Sequence, residues 1–466
     1  MRMRSVPALA LVALVAAAAL VAASGGARTK APQSAASWVG LAGGPRPRVA
    51  LGQRMIVVLR SPSLADRVAR AGGLATEKQE RRWTAAALAA QNVLISRLGV
   101  QGVRIRTEFR YARVLNGFSA ALDARALSLL ERAPEVAGVY PVRAAFPASV
   151  RGLFAAGSGH RPVLSLPGYD GRGVTIALLD TGVDRAQPFL RGRIAPGIDI
   201  VGGNPEALAA PKPDDQTQVE RHGTEMAGLL VGGGGPYGLA GVATGASVLP
   251  IRVAGWQEDA TGGWSVYARS DQIVAGLESA VDPNGDDDAH DAARIALVAL
   301  AEPYAAFADD PVALAAGGAL RLDTVVVVPA GNDGPAGPQF GFVSGPGGGA
   351  GALTVGAADM RTDVESARVV VRVGLHVVLD RVEPVVGAAG PSRPVSLAVA
   401  APRTTPFGDQ PEAQGAALAR FFDPGGLSRV AGRAALVDAG DAPRSAVEDA
   451  ARAGAAAVLV HGGLPS

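Results

Sequence analysis

Val174-Thr175-Ile176-Ala177-Leu178-Leu179-Asp180-Thr181-Gly182 is the stretch on which the fold turns. Its short, nearly continuous apolar run fits a strand buried on both faces, as in parallel sheets covered by helices. The run then stops at an acid followed by a glycine turn. A polar group at the carboxyl end of such a strand points into the crevice where α/β domains place their sites. Residues 247–253 and 324–328 have the same texture, and 295–300 reads as a further strand. Helical patterns over 222–231 and 271–281 alternate with them. Strand and helix in this rhythm predict a doubly wound, mostly parallel α/β sheet.

Three polar stretches lie at the ends of these elements: Asp180-Thr181-Gly182, His222-Gly223-Thr224 and Ala330-Gly331-Asn332. Singly, each has an ordinary reading. An Asp-Thr-Gly turn is commonly a cap, a histidine at a helix start is commonly at the surface, and Ala-Gly-Asn is a turn. Jointly they supply an acid, a base and an amide donor. A carboxylate beside an imidazole fixes its tautomer and stabilises its cation. A side-chain amide can donate to a developing oxyanion.

With their flanks, these stretches resemble the subtilisin-like serine peptidases, the subtilases. The matching text is Gly173 through Asp184, His222-Gly223-Thr224-Glu225-Met226-Ala227-Gly228, Gly241-Val242-Ala243 leading into Leu249-Pro250-Ile251-Arg252-Val253, Ala330-Gly331-Asn332-Asp333-Gly334 and Leu353-Thr354-Val355-Gly356-Ala357. The resemblance implies that Asp180 and His222 are catalytic, with Asn332 at the oxyanion. It also implies that Ala299-Leu300-Ala301 is the substrate-binding strand, where the family usually has Ser-Leu-Gly; Ala301 in place of glycine narrows the pocket entrance. The expected Gly-Thr-Ser turn is missing, and Ser344 lacks the small-residue helix that follows such a nucleophile. The expectation is therefore a chain truncated before its serine. The competing expectation is a non-catalytic exported peptide-binding or adhesion module that keeps the fold. An esterase of another α/β type is disfavoured, since no Gly-x-Ser-x-Gly elbow occurs.

The resemblance extends outward. Residues 53–146 have the order β-α-β-β-α-β of a ferredoxin-like α+β unit and resemble the family's inhibitory propeptide. Residues 165–366 are the expected subtilisin-like catalytic part, and 367–466 resemble part of a protease-associated domain. Before them, Arg2 and Arg4 precede an apolar run over 6–23 and small residues, which predicts a signal peptide over 1–27 followed by a linker over 28–52. The expected location is thus outside a bacterial cell, extracellular or at the cell surface, with no membrane association after signal cleavage.

Charge is divided unevenly along the chain. Residues 1–146 carry 21 Lys and Arg against 7 Asp and Glu, whereas 147–466 carry 23 against 35. The basic residues are scattered among apolar positions instead of forming a run, which argues against a nucleic-acid partner and for attraction between the two parts. The expected partners are a protein or peptide substrate and the propeptide acting as an intramolecular inhibitor. With no Cys, thiolate chemistry and disulfides are excluded. No cofactor is expected for catalysis. A structural calcium is considered at Asp282-Pro283-Asn284-Gly285-Asp286-Asp287-Asp288, although a calcium loop would have glycine where Asp287 stands and glutamate where Ala293 stands.

Overall fold

The computed structural model describes residues 47, 49–148, 168–202, 206–234, 240–305, 307–332, 343–356, 366–385, 391, 393–402, 416–438 and 443–461. The expected signal over 1–27 and most of the linker over 28–52 lie outside these residues. Among the described residues no helix is long and apolar enough to cross a membrane.

The amino-terminal unit comprises β1 (Arg54–Leu59), α1 (Leu64–Ala71), α2 (Glu77–Val100), β2 (Thr107–Tyr111), β3 (Gly117–Ala121), α3 (Ala124–Glu131) and β4 (Val136–Pro141). Its antiparallel sheet has the order β2-β3-β1-β4. Helix α1 is additional to the expected order. Ser63 and Asp66 cap it reciprocally, and Leu64, Ala65 and Val68 are buried beneath it.

Strand alternation explains why β1 is apolar from Met55 to Leu59. Val57 and Leu59 pack with Leu94, Leu98, Phe118 and Leu130 inside the unit. Ile56 and Val58 face the other way and join a core containing Ile273, Val274 and Leu277 of the next domain. Burying such a side chain contributes roughly 1.5–3 kcal/mol, so the second apolar face requires a docking partner.

That partner is built on β6 (Thr175–Asp180), β7 (Ile198–Asp199), a hairpin of β8 (Pro211–Lys212) and β9 (Asp215–Val219), α4 (His222–Val231), and β10 (Ser247–Arg252). It continues through β11 (Ala254–Glu258), β12 (Trp264–Arg269), α5 (Ser270–Ala280), β13 (Ile295–Val298), β14 (Leu300–Ala301), α6 (Pro311–Arg321), β15 (Val325–Pro329) and β16 (Ala352–Val355). Six of these strands form a parallel sheet, ordered β16-β15-β13-β6-β10-β7. Ile176 and Leu178 of β6 pack with Ala227 and Val231 of α4. Ala177 and Leu179 face the core shared by α5 and α6. Helices therefore cover both faces, as the uninterrupted apolar strands require.

The stretch 295–300, expected as one strand, is divided. β13 ends at Val298, and Leu300–Ala301 leaves the parallel sheet to pair antiparallel with β5 (Ala144–Pro147). A separate sheet results, ordered β11-β12-β5-β14. Strand β5 ends one residue beyond the boundary expected at 146. Farther along, β17 (Ser366–Val373) and β18 (His376–Pro384) form a hairpin. β19 (Val399–Ala400), β20 (Ala434–Asp438) and β21 (Ala457–His461) form a small parallel sheet, with α7 (Ala416–Ala419) and α8 (Pro443–Arg452) in the same unit.

Candidate active site

Asp180 closes β6, and His222 opens α4. Their approach depends on two glycines. Gly182 sits at φ 87°, a left-handed conformation that favours glycine. A Cβ on Gly223 would lie 2.2 Å from the Gly182 carbonyl oxygen, so only glycine lets the turn touch the helix. Two bonds stitch the contact: Gly223 N–H donates to Thr181 Oγ1 at 3.0 Å, and Asp184 N–H donates to Thr224 Oγ1 at 2.9 Å. The helix start, which lacks a side-chain cap of its own, is thus capped from the Asp180 turn.

This brings His222 Nδ1 to 2.8 and 2.9 Å from the two Asp180 oxygens, with the Asp180 side chain only 1% exposed. Thr181 N–H also donates to Asp180 Oδ1 at 2.6 Å. On the other side of the ring, Nε2 lies 3.1 Å from the carbonyl oxygen of Ala148. A carboxylate and a carbonyl both accept, so both ring nitrogens donate and the imidazole is charged. Burial acts to lower its pKa, but Asp180 and then the Ala148 carbonyl outweigh that effect and raise it from 6.5 to about 9.

Ala148 reaches His222 because β5 lies along β14. Leu300 pairs with Pro147 and Ala301 with Phe146, and Ala148 N–H donates to Ala299 O at 3.0 Å. The structure therefore brings Ala299, Leu300 and Ala301 together with the chain's own extended segment, and that segment with His222. Asn332 is exposed just after β15, at the carboxyl edge of the same parallel sheet as Asp180. Ser344 is fully buried, packed so closely on Gly331 that a Cβ there would meet its Oγ at 1.9 Å.

The amino-terminal unit is anchored by groups that no motif marks. Glu278 of α5 accepts from the backbone N–H groups of Ala112 at 2.9 Å, Arg113 at 2.9 Å and Val114 at 2.6 Å. Arg113 also pairs with Asp282 and Asp287, and Arg81 with Asp286 and Asp288. Loop 282–288, considered above for calcium, is thus the acidic half of this interface. Asp282 is already committed to Gly285, Asp286 and Asp287 N–H groups as well as Arg113. Among the described residues no cluster of three or more His, Cys, Asp or Glu could hold a metal. In this structure the carboxylates of the loop face the guanidinium groups of Arg81 and Arg113.

Residues 171–411, roughly half of the chain, match the family described as the Subtilase family. The chain belongs to the subtilase family. It is similar to subtilisin E of Bacillus subtilis (strain 168), at 27% identity over 186 residues that cover 40% of this chain and 43% of subtilisin E. It is also similar to the minor extracellular protease Vpr of the same strain, at 28% identity over 248 residues, covering 50% of this chain and 28% of Vpr. The chain thus spans less than half the length of these relatives. The crystal structure of fervidolysin from Fervidobacterium pennivorans, a keratinolytic enzyme related to subtilisin, is similar at a TM-score of 0.35 and 16% identity, covering 61% of this chain and 42% of that one.

A pH effect follows for this subtilase from the raised His222 pKa. Its folded value of about 9 exceeds the ordinary 6.5, so the stability it lends is complete below about 6.5 and is lost as pH rises through about 9. The gap in thermal midpoint between wild type and His222→Gln is therefore expected to be widest near about pH 6 and to close by about pH 10. A gap that widened with rising pH would contradict the assignment.

Proposed function

We propose that the protein is the precursor of an exported serine endopeptidase, with residues 53–148 acting as its inhibitor in cis. The observation that carries this reading is the position of the chain's own segment. An extended strand lies antiparallel to Leu300–Ala301, and the Ala148 carbonyl faces His222 Nε2 at 3.1 Å. Peptide held by strand addition is read mainly through its backbone, so alanine at 299 and 301 does not forbid binding. The apolar run behind Arg2 and Arg4 supports export.

In this mechanism a serine hydroxyl attacks the carbonyl carbon of the residue bound opposite Ala299. No Gly-Thr-Ser turn within these 466 residues supplies that serine. In its neutral form His222 takes the hydroxyl proton on Nε2 and returns it to the leaving amine, water then hydrolyses the acyl-serine, and Asp180 holds the ring and stabilises its cation. Asn332 donates to the oxyanion; losing such a donor costs on the order of 10²–10³ in turnover, a figure taken from subtilisin. The first substrate is the chain itself, cut between Ala148 and Ser149.

The protein expressed from its whole reading frame is expected to cleave casein in a manner blocked by a serine-directed phosphonate. A folded, exported product that binds casein and never cleaves it would instead identify a peptide-binding module.

A further inference from the structure

One buried carboxylate has no part in the chemistry above. Glu302 directly follows β14, is 1% exposed, and neither of its carboxylate oxygens has a hydrogen-bond partner. Its backbone is held firmly: the N–H donates to Gly345 O at 2.9 Å, and its carbonyl accepts from Gly345 N–H at 2.7 Å. The group facing the carboxylate is the Arg143 guanidinium, with Nε 3.7 Å from Oε1. That guanidinium also lies 5.3 Å from the centroid of the Phe307 ring. Beside Arg143, a small cavity is lined by Phe307, Asp309 and Asp310 together with Tyr140 and Pro141.

A carboxylate buried without donors is costly unless a cation offsets it. Burial and then Asp310 push the Glu302 carboxyl well above the usual range, and Arg143 draws it back. Glu302, Phe307, Asp309 and Asp310 all stay with the catalytic part when the chain is cut after Ala148. Arg143 leaves with the amino-terminal part. The carboxylates and the aromatic ring that face Arg143 are therefore permanent, and their occupant is temporary.

We propose that Glu302 and Phe307 form a subsite for a basic side chain on the sixth residue before the scissile bond, occupied by Arg143 in the precursor. The proposal rests on the endopeptidase reading, with Ala148 as the residue before that bond. It assigns the enzyme a preference for extended substrates carrying Arg or Lys upstream of the cut. An aromatic face favours a planar cation, and a bound cation draws the Glu302 carboxyl towards its charged form, as Arg143 does in the precursor.

The test uses the enzyme expressed from its whole reading frame and three internally quenched peptides. All share Ala-Ala-Phe-Pro-Ala-Ser-Val, the sequence of residues 144–150, and are preceded by Arg, Ala or Glu. The Arg peptide is expected to show a kcat/KM about tenfold above the Ala peptide, with the Glu peptide lower still. In Glu302→Gln the Arg-to-Ala ratio should fall close to one. Phe307 is 51% exposed, so Phe307→Leu offers a second variant with little risk to folding, and it too should shrink the ratio. Equal kcat/KM for all three peptides on the wild type would overturn the subsite and leave the endopeptidase standing. Cleavage of none of them would overturn both.

Discussion

His222→Ala is expected to stop casein hydrolysis and self-processing together, with turnover falling roughly a millionfold, the size of loss found when subtilisin itself loses its base. Both reactions depend on Nε2, the ring nitrogen that faces the Ala148 carbonyl while Nδ1 is held by Asp180. The variant should therefore accumulate as an uncut precursor with residues 53–148 still attached. Intact-mass measurement of protein from a protease-deficient host reads this directly. Normal maturation of the variant would point to another base.

Glu278→Ala should loosen the amino-terminal unit without harming the catalytic part. It removes the acceptor for three backbone N–H groups, of Ala112, Arg113 and Val114. Each buried donor left unsatisfied costs about 1–3 kcal/mol. Even partial rescue by water leaves the cleaved fragment bound at least about a hundredfold more weakly. Gel filtration after processing should show the fragment eluting with the wild-type enzyme and separating from the variant. Co-elution in both would mean that the apolar face of β1 holds the complex by itself.

The parallel sheet was legible because its strands are apolar on both faces and end in polar turns. Helix α4 has the bounds expected for it, and β6 lies one residue farther along than the expected 174–179, starting at Thr175 and including Asp180. The glycines that bring Asp180 and His222 together were visible as Gly182 and Gly223, although their contact is a tertiary one. The division at Ala299 was not legible: 295–300 is uniformly apolar, and only pairing with β5 draws Leu300–Ala301 out of the sheet. Loop 282–288 invited a cation because oxygen ligands alternate there. Its partners, Arg81 and Arg113, lie some two hundred residues earlier, and charge balance alone gives attraction without register. Glu302 had no signal at all, since its role depends on which side chain faces it.

The central claim is that residues 144–148 lie in the cleft as the enzyme's first substrate. Its most direct test is the amino-terminal sequence of the mature protein secreted from the whole reading frame. A start at Ser149 is the predicted result. A start within residues 136–147, inside the strands that dock the inhibitor, would contradict it.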